Sequence, residues 1–353
     1  MHALAARSLA AATAQEADAL DGAIASTLHA MLARGNGEAL AHALDSSSTP
    51  AIYRHLWRSL SRISAVAHRA GDRLAVTLFA IPLVIVAATS AERGAPARLP
   101  GIVPDIGALV AVLREHGALS GNQSFGLGNA MVMADAIEVA QLPGLLGSRK
   151  RLDGAGGLAP LALAAAPIEL SPGERAHLRF LVGSAIAAPA ADLLSDASVG
   201  RWGMPLATSL IAQLSAPSVS VVALPRAAMS LPTAVVQGRA AQREVSAQLF
   251  VSNALRALRA SVGEPVAVIS AHASDDAPVG GELRLSLSSP FAPRDAQGFR
   301  CPLYRGEGVA GVATMLEGLL RDCRVANVRV LAGVHPDRDR LTGGPLLFKA
   351  DEL

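Results

Sequence analysis

The sequence predicts an α+β protein with a helical N-terminal arm, a middle α/β section and a C-terminal ferredoxin-like βαββαβ unit. Three observations carry this. Residues 1–73 show apolar positions at helical spacing, broken by Gly and Ser/Thr/Pro runs. Residues 74–91 form an uncharged run rich in β-branched side chains. In the last third, short strand-like segments alternate with amphipathic helical ones. These set the expected divisions at 1–73, 74–215 and 216–353.

In the arm, Leu20, Ile24, Leu28 and Met31 recur at helical spacing, and Glu16, Asp18 and Asp21 make the start of that helix acidic. A short helix follows at 38–44, and then the run Ser46 to Pro50 punctuates the chain. The next helix, 51–70, is basic and amphipathic. Ile52, Leu56, Leu60, Ile63 and Ala67 share one arc, while Arg54, Arg58, Arg62 and Arg69 lie opposite them. No acid lies between Asp45 and Asp72, so the row has no carboxylate partner within its own helix. Its guanidinium groups suit carboxylates or phosphates on a partner. A solvated face, or pairing with the acidic first helix, uses the same residues.

The run from Leu74 to Ala91 is long enough to suggest a transmembrane helix. Pro82 at its middle, and Val76, Thr77, Ile81, Val84, Ile85, Val86 and Thr89, favour a buried strand with Pro82 at a bulge or junction. A helix is expected from Asp105 to Gly117 and another at 130–140. Gly126-Leu-Gly128 before the latter hints at a phosphate loop, but it lacks the preceding strand and a third glycine or lysine. Segments 159–170 and 177–187 read as extended, and 202–214 as helix.

The C-terminal unit is read as strand 218–224, helix 239–260, strands 265–271 and 282–288, helix 309–323 and strand 327–334. In ELRLSLS, Leu283, Leu285 and Leu287 alternate strictly and face inward. His272, Asp275 and Asp276 end the second strand of this unit, and His335, Asp337 and Asp339 end the fourth. In a ferredoxin-like sheet those strands are opposite edges, which separates the two groups by roughly 14 Å and disfavours a shared metal site.

Composition narrows the function classes. Hydrophobic residues are 51% and aromatics 3%, and the net charge of +2 is too small to imply nucleic acid by global balance. SVSVVAL and ELRLSLS carry no aromatics for stacking bases, which argues further against RNA. Arginine dominates over Lys150 and Lys349, as in a GC-rich bacterial genome. The two cysteines, Cys301 and Cys323, fit a reduced compartment. The first twenty residues lack a continuous apolar stretch and turn acidic, so a cytoplasmic location is expected. No nucleophile elbow, zinc helix or P-loop motif occurs.

No cofactor and no metal are expected. The reading is a non-catalytic binding or regulatory protein acting through self-association or a partner protein, with Arg54, Arg58, Arg62 and Arg69 as the contact row. The enzyme alternative places a ligand loop at Asn122, Asn129, Arg305 and Glu307, between the middle and C-terminal sections. The third alternative anchors the chain in a membrane through residues 74–91.

Overall fold

The computed structural model describes residues 1–65, 67–68, 75–88, 98–119, 124–148, 160–187, 196–214, 219–223, 231–260, 264–274, 281–340 and 342–349. The chain divides into two compact units, one of Met1–Ser48 and Ile52–Gln242, the other of Thr49–Ala51 and Arg243–Leu353.

The first unit opens with helices α1 (His2–Leu9), α2 (Ala14–Ala33), α3 (Gly37–Asp45) and α4 (Pro50–Ala65). Thr13 caps α2, its Oγ1 accepting the Glu16 N–H at 3.2 Å, and Asn36 caps α3 by accepting the Ala39 N–H at 3.0 Å. Leu20, Ile24, Leu28 and Leu32 of α2 are buried, as are Leu40 and Leu44 of α3 and Ile52, Leu56 and Leu60 of α4. Leu20, Ile24, Leu28, Ile52, Leu56 and Leu60 fall on the faces the spacing predicts, but Leu32 is buried where the spacing points to Met31, and Ile63 is half-buried. The basic helix, expected to reach residue 70, ends at Ala65, and Ala67 pairs with Val76 as part of a short strand.

Five strands make the sheet of this unit. β2 (Ala75–Ala87) and β6 (Arg175–Ala187) pair antiparallel along their whole length, flanked by β1 (Ala67–His68) on β2 and β4 (Ser124–Leu127) on β6. A further strand, β7 (Val219–Ala223), also pairs with β2. β3 (Arg98–Leu99) and β5 (Ile168–Glu169) form a separate two-stranded sheet, and a short helix, α6 (Leu142–Ser148), lies between β4 and β5 in the chain. Helices α5 (Ile106–Glu115) and α7 (Asp196–Leu214) lie over one face, where Phe79, Ile81, Leu83 and Ile85 meet Leu109, Leu113, Trp202, Leu206 and Leu210. On the other face Leu78, Ala80, Val84 and Val86 are buried too. Burial on both faces is why this stretch carries no charge.

The transmembrane helix considered for residues 74–91 is not what the described part of that run forms, since 75–87 is a sheet strand. Among the described residues, no helix is long and apolar enough to cross a membrane. Pro82 sits in the strand without a break in the β2–β6 register, opposite Phe180. Phe180 exchanges both of its backbone hydrogen bonds with Val132, at 2.9 Å each. The Pro82–Phe180 pair is therefore non-hydrogen-bonded, and the Pro82 nitrogen points to the other edge of β2. There it falls between the residues paired with β1 and those paired with β7, where no ladder donor is needed.

Two expectations for the middle section change. Gly126 pairs with Ser184 and Leu127 with Gly183, so the glycine pair belongs to a strand and its end. Residues 130–140, expected as a helix, contain short 3₁₀ turns at Ala134–Ile137 and Val139–Gln141. Tertiary backbone bonds win locally: the Met131 N–H donates to Gly101 O at 2.8 Å, and Val132 pairs with Phe180.

The second unit takes the later part of α8 (Thr233–Ala260), then β8 (Val266–Ala273), β9 (Gly281–Ser289), β10 (Ala292–Pro302), α9 (Val309–Asp322) and β11 (Asn327–His335). Its sheet runs β10-β9-β8-β11, with β11 parallel to β8 and the other pairs antiparallel. Leu283, Leu285 and Leu287 point into a core with Ala267, Ile269 and Ala271, beneath Val251, Leu255, Leu258, Leu316 and Leu320 of the two helices.

The class is α+β, but the C-terminal sheet lacks the ferredoxin-like order. The strand expected at 218–224 joins the first unit through β2, and residues 292–302, expected as loop, supply the edge strand β10. That segment, APRDAQGFRCP, has no strict apolar alternation to reveal it; pairing with β9 across a tight turn makes it a strand.

Candidate functional site

Strand β9 reads GELRLSLSS, so a leucine face implies an opposite face of Glu282, Arg284, Ser286 and Ser288. Cross-strand pairing sets Ser270 of β8 opposite Arg284 and His272 opposite Glu282. Such a face ordinarily meets water. Here it is buried: Arg284 and His272 are each 1% exposed, Glu282 2% and Ser270 3%. The chain beyond β11 lies across it, and Arg284, Ser286 and His272 all reach that segment.

The charges are satisfied within the cluster. Arg284 Nε donates to Glu282 Oε1 at 2.6 Å and its Nη2 donates to the Asp337 carboxylate. Arg300 Nε donates to both Glu282 oxygens at 2.9 Å, and Arg300 Nη2 donates to Ser274 Oγ at 3.1 Å. Two guanidinium groups thus meet two carboxylates, which makes burial of this network tolerable.

Beside it, His272 Nδ1 donates to the Pro336 carbonyl at 2.8 Å. A carbonyl only accepts, so Nδ1 carries the hydrogen and Nε2 accepts from Ser270 Oγ, also at 2.8 Å. Burial holds the His272 pKa below its ordinary value of 6.5, and the Arg284 and His335 charges push the same way against the Pro336 carbonyl. Ser270 and His272 have the spacing of a nucleophile and its base. With both buried under the C-terminal segment, no substrate reaches them in this arrangement.

The two histidine groups are the largest correction to the sequence reading. β8 and β11 are neighbours, His272 and His335 are partners in register, and their ring centroids lie 5.7 Å apart. Phe348 completes the cluster, 4.8 Å from His335 and 6.1 Å from His272. His335 Nε2 is buried, with no hydrogen-bond partner among the described residues. Asp275 and Asp276 lie outside the described residues, and among the described ones no cluster of three or more His, Cys, Asp or Glu is placed to hold a metal.

The other residues singled out by sequence are dispersed. Arg54, Arg58 and Arg62 are exposed along α4, and Arg69 lies outside the described residues. The acidic helix meets this one through a different residue: His55 Nε2 lies 2.9 Å from Asp21 Oδ1, and Ser8 Oγ donates to the same carboxylate. The Ser8 hydrogen bond, aided by His55 and more distantly by Arg62, holds the Asp21 pKa below 3.8.

In the enzyme alternative's ligand loop, Asn122 is outside the described residues, and Asn129 is exposed with its carbonyl accepting the Val103 N–H. Arg305 is half-buried. Glu307 is held by two bonds from Arg243, at 2.6 and 2.8 Å, and by the Tyr304 N–H at 2.9 Å. It closes its own loop. Cys301 is buried in the core of the second unit, and burial pushes its thiol up to about 12, far from a reactive thiolate.

Strict alternation located the polar face in the sequence; nothing in that pattern signals its cover, because the cover is a non-regular segment. Comparisons with protein families, with curated proteins and with solved structures found no match.

Proposed function

We propose that this chain is a non-catalytic binding protein that docks an acidic partner protein on the basic face of α4. One observation carries the reading: Arg54, Arg58 and Arg62 are all exposed, spaced by four residues on a helix whose opposite side is buried. That spacing advances about 6 Å along the axis per step, so a partner helix with carboxylates four apart matches it. Long-range attraction of this kind raises association rates and fixes register.

The test compares the full chain with an R54Q/R58Q/R62Q variant for binding to poly-L-glutamate as an acidic probe, at low and moderate salt. Wild type should bind at low salt and weaken as salt rises, and the variant should bind about tenfold or more weakly at low salt. Equal binding by the two proteins would overturn the reading. A single-stranded oligonucleotide run in parallel distinguishes partner class: tighter, row-dependent binding to it would replace the acidic protein with a nucleic acid.

A further inference from the structure

We infer that the polar face of the β8–β9 sheet is a binding site for a peptide segment that folds back on itself, and that the segment after β11, described at residues 336–340 and 342–349, occupies it as a ligand supplied in cis. This inference does not involve α4 and stands without the reading above.

Four features distinguish this face from one that merely needs a cover. A sheet face requiring only coverage is served best by apolar side chains, because buried polar groups must each find a partner. This face instead buries Ser270, His272, Glu282, Arg284, Ser286 and Ser288.

Its donors are aimed chiefly at main-chain oxygens. His272 takes Pro336 O, Arg284 takes Asp337 O and Leu346 O, and Ser286 takes Phe348 O. Recognition of carbonyls reads the course of a backbone and is indifferent to most side chains, as in other modes of peptide capture.

Side-chain selection is visible at Asp337, Leu347 and Phe348. The Asp337 carboxylate meets Arg284. Without it, Arg284 and Arg300 against Glu282 leave the face with one net positive charge, which suits an acidic ligand residue. Gly298 of β10 leaves room for Leu347, since a Cβ there would fall 2.5 Å from Leu347 Cδ1. Phe348 packs on the His272 and His335 rings. The preferred ligand is therefore a segment with a carboxylate, a turn, and then an adjacent aliphatic and aromatic residue.

The occupying segment also holds its own shape. The Leu346 N–H donates to Asp337 O at 3.0 Å, the Asp339 N–H to Gly344 O at 2.9 Å, and the Thr342 N–H to Asp339 Oδ1 at 2.8 Å. It can leave the face without dismantling the β8–β9 ladder, whose bonds are made strand to strand.

The experiment uses the full chain and a fluorescein-labelled synthetic peptide of residues 336–349. A D337N/F348A variant weakens the cis segment while leaving the face intact. Because a tethered segment competes at an effective concentration on the order of millimolar, wild type should bind the peptide at least about tenfold more weakly than the variant. A peptide carrying the same two changes should bind the variant more weakly than the unchanged peptide. Equal binding of the peptide by wild type and a folded variant would overturn the inference, as would no binding by either. Should the variant fail to fold, hydrogen exchange on wild type decides. Exchange of 336–349 through openings at least about tenfold more frequent than those of β8 and β9 supports a dissociable ligand. Equal protection of segment and strands makes the segment an integral part of the fold and overturns the inference.

Discussion

His272 shows how one side chain in the buried polar face ties stability to pH. Its folded pKa is lowered by burial first, with the Arg284 and His335 charges adding to it, while Glu282 and the Pro336 carbonyl oppose. In the unfolded chain the ring titrates near its ordinary 6.5. Below that value the unfolded state binds a proton that the folded state resists, so stability falls as pH drops through 6.5 toward the lowered folded value. Protonation also removes the Nε2 lone pair that accepts from Ser270. His177 in the first unit carries the same sign, lowered by burial and by Arg179 and Arg175. Urea midpoints measured from pH 8 down to pH 5 should therefore decline for wild type. They should decline less steeply for His272→Gln, and an identical slope would remove His272 from the account.

At the level of the element, β2 and β6 lie so close that one position tolerates no side chain. A Cβ at Gly183 would fall 2.4 Å from Phe79 Cζ and 2.9 Å from the Gly126 carbonyl oxygen. The phenyl ring is itself held in the core, and the carbonyl belongs to the paired strand β4, so neither yields freely. Gly183→Ala should destabilise by about 1–3 kcal/mol, the usual cost of overpacking, and a thermal melt checks it. An unchanged melting temperature would mean the strands separate more easily than their pairing implies. Gly183 has a strand conformation that any residue adopts; its requirement comes from the neighbours alone. The same holds for Pro82, which fits β2 because Phe180 turns its hydrogen bonds toward Val132.

Across the whole molecule, the two described cores share no residue. Leu206 belongs to one and Leu316 to the other, and both are fully buried. Each Leu→Ala change should cost about 2–5 kcal/mol, and the double variant should cost the sum within about 0.5 kcal/mol. A larger departure, measured by chemical denaturation, would reveal coupling between the cores. The sequence by itself determined much of the secondary structure: the helical faces of α2, α4 and α9, the strand identity of 75–87, and the strict alternation of β9. These follow from periods of 3.6 and 2.0, which a local window contains. Only the tertiary structure decided that 219–223 pairs with β2, that 292–302 is a strand, and that β8 and β11 are neighbours. It alone brought His272 to His335, and it alone laid Asp337 and Leu346 over Arg284. Residues 292–302 pair with their sequence neighbour β9 but have no alternation to show it. The β2–β7 and β8–β11 pairings and the cover over Arg284 join residues more than fifty positions apart, and no local pattern records which of them meet.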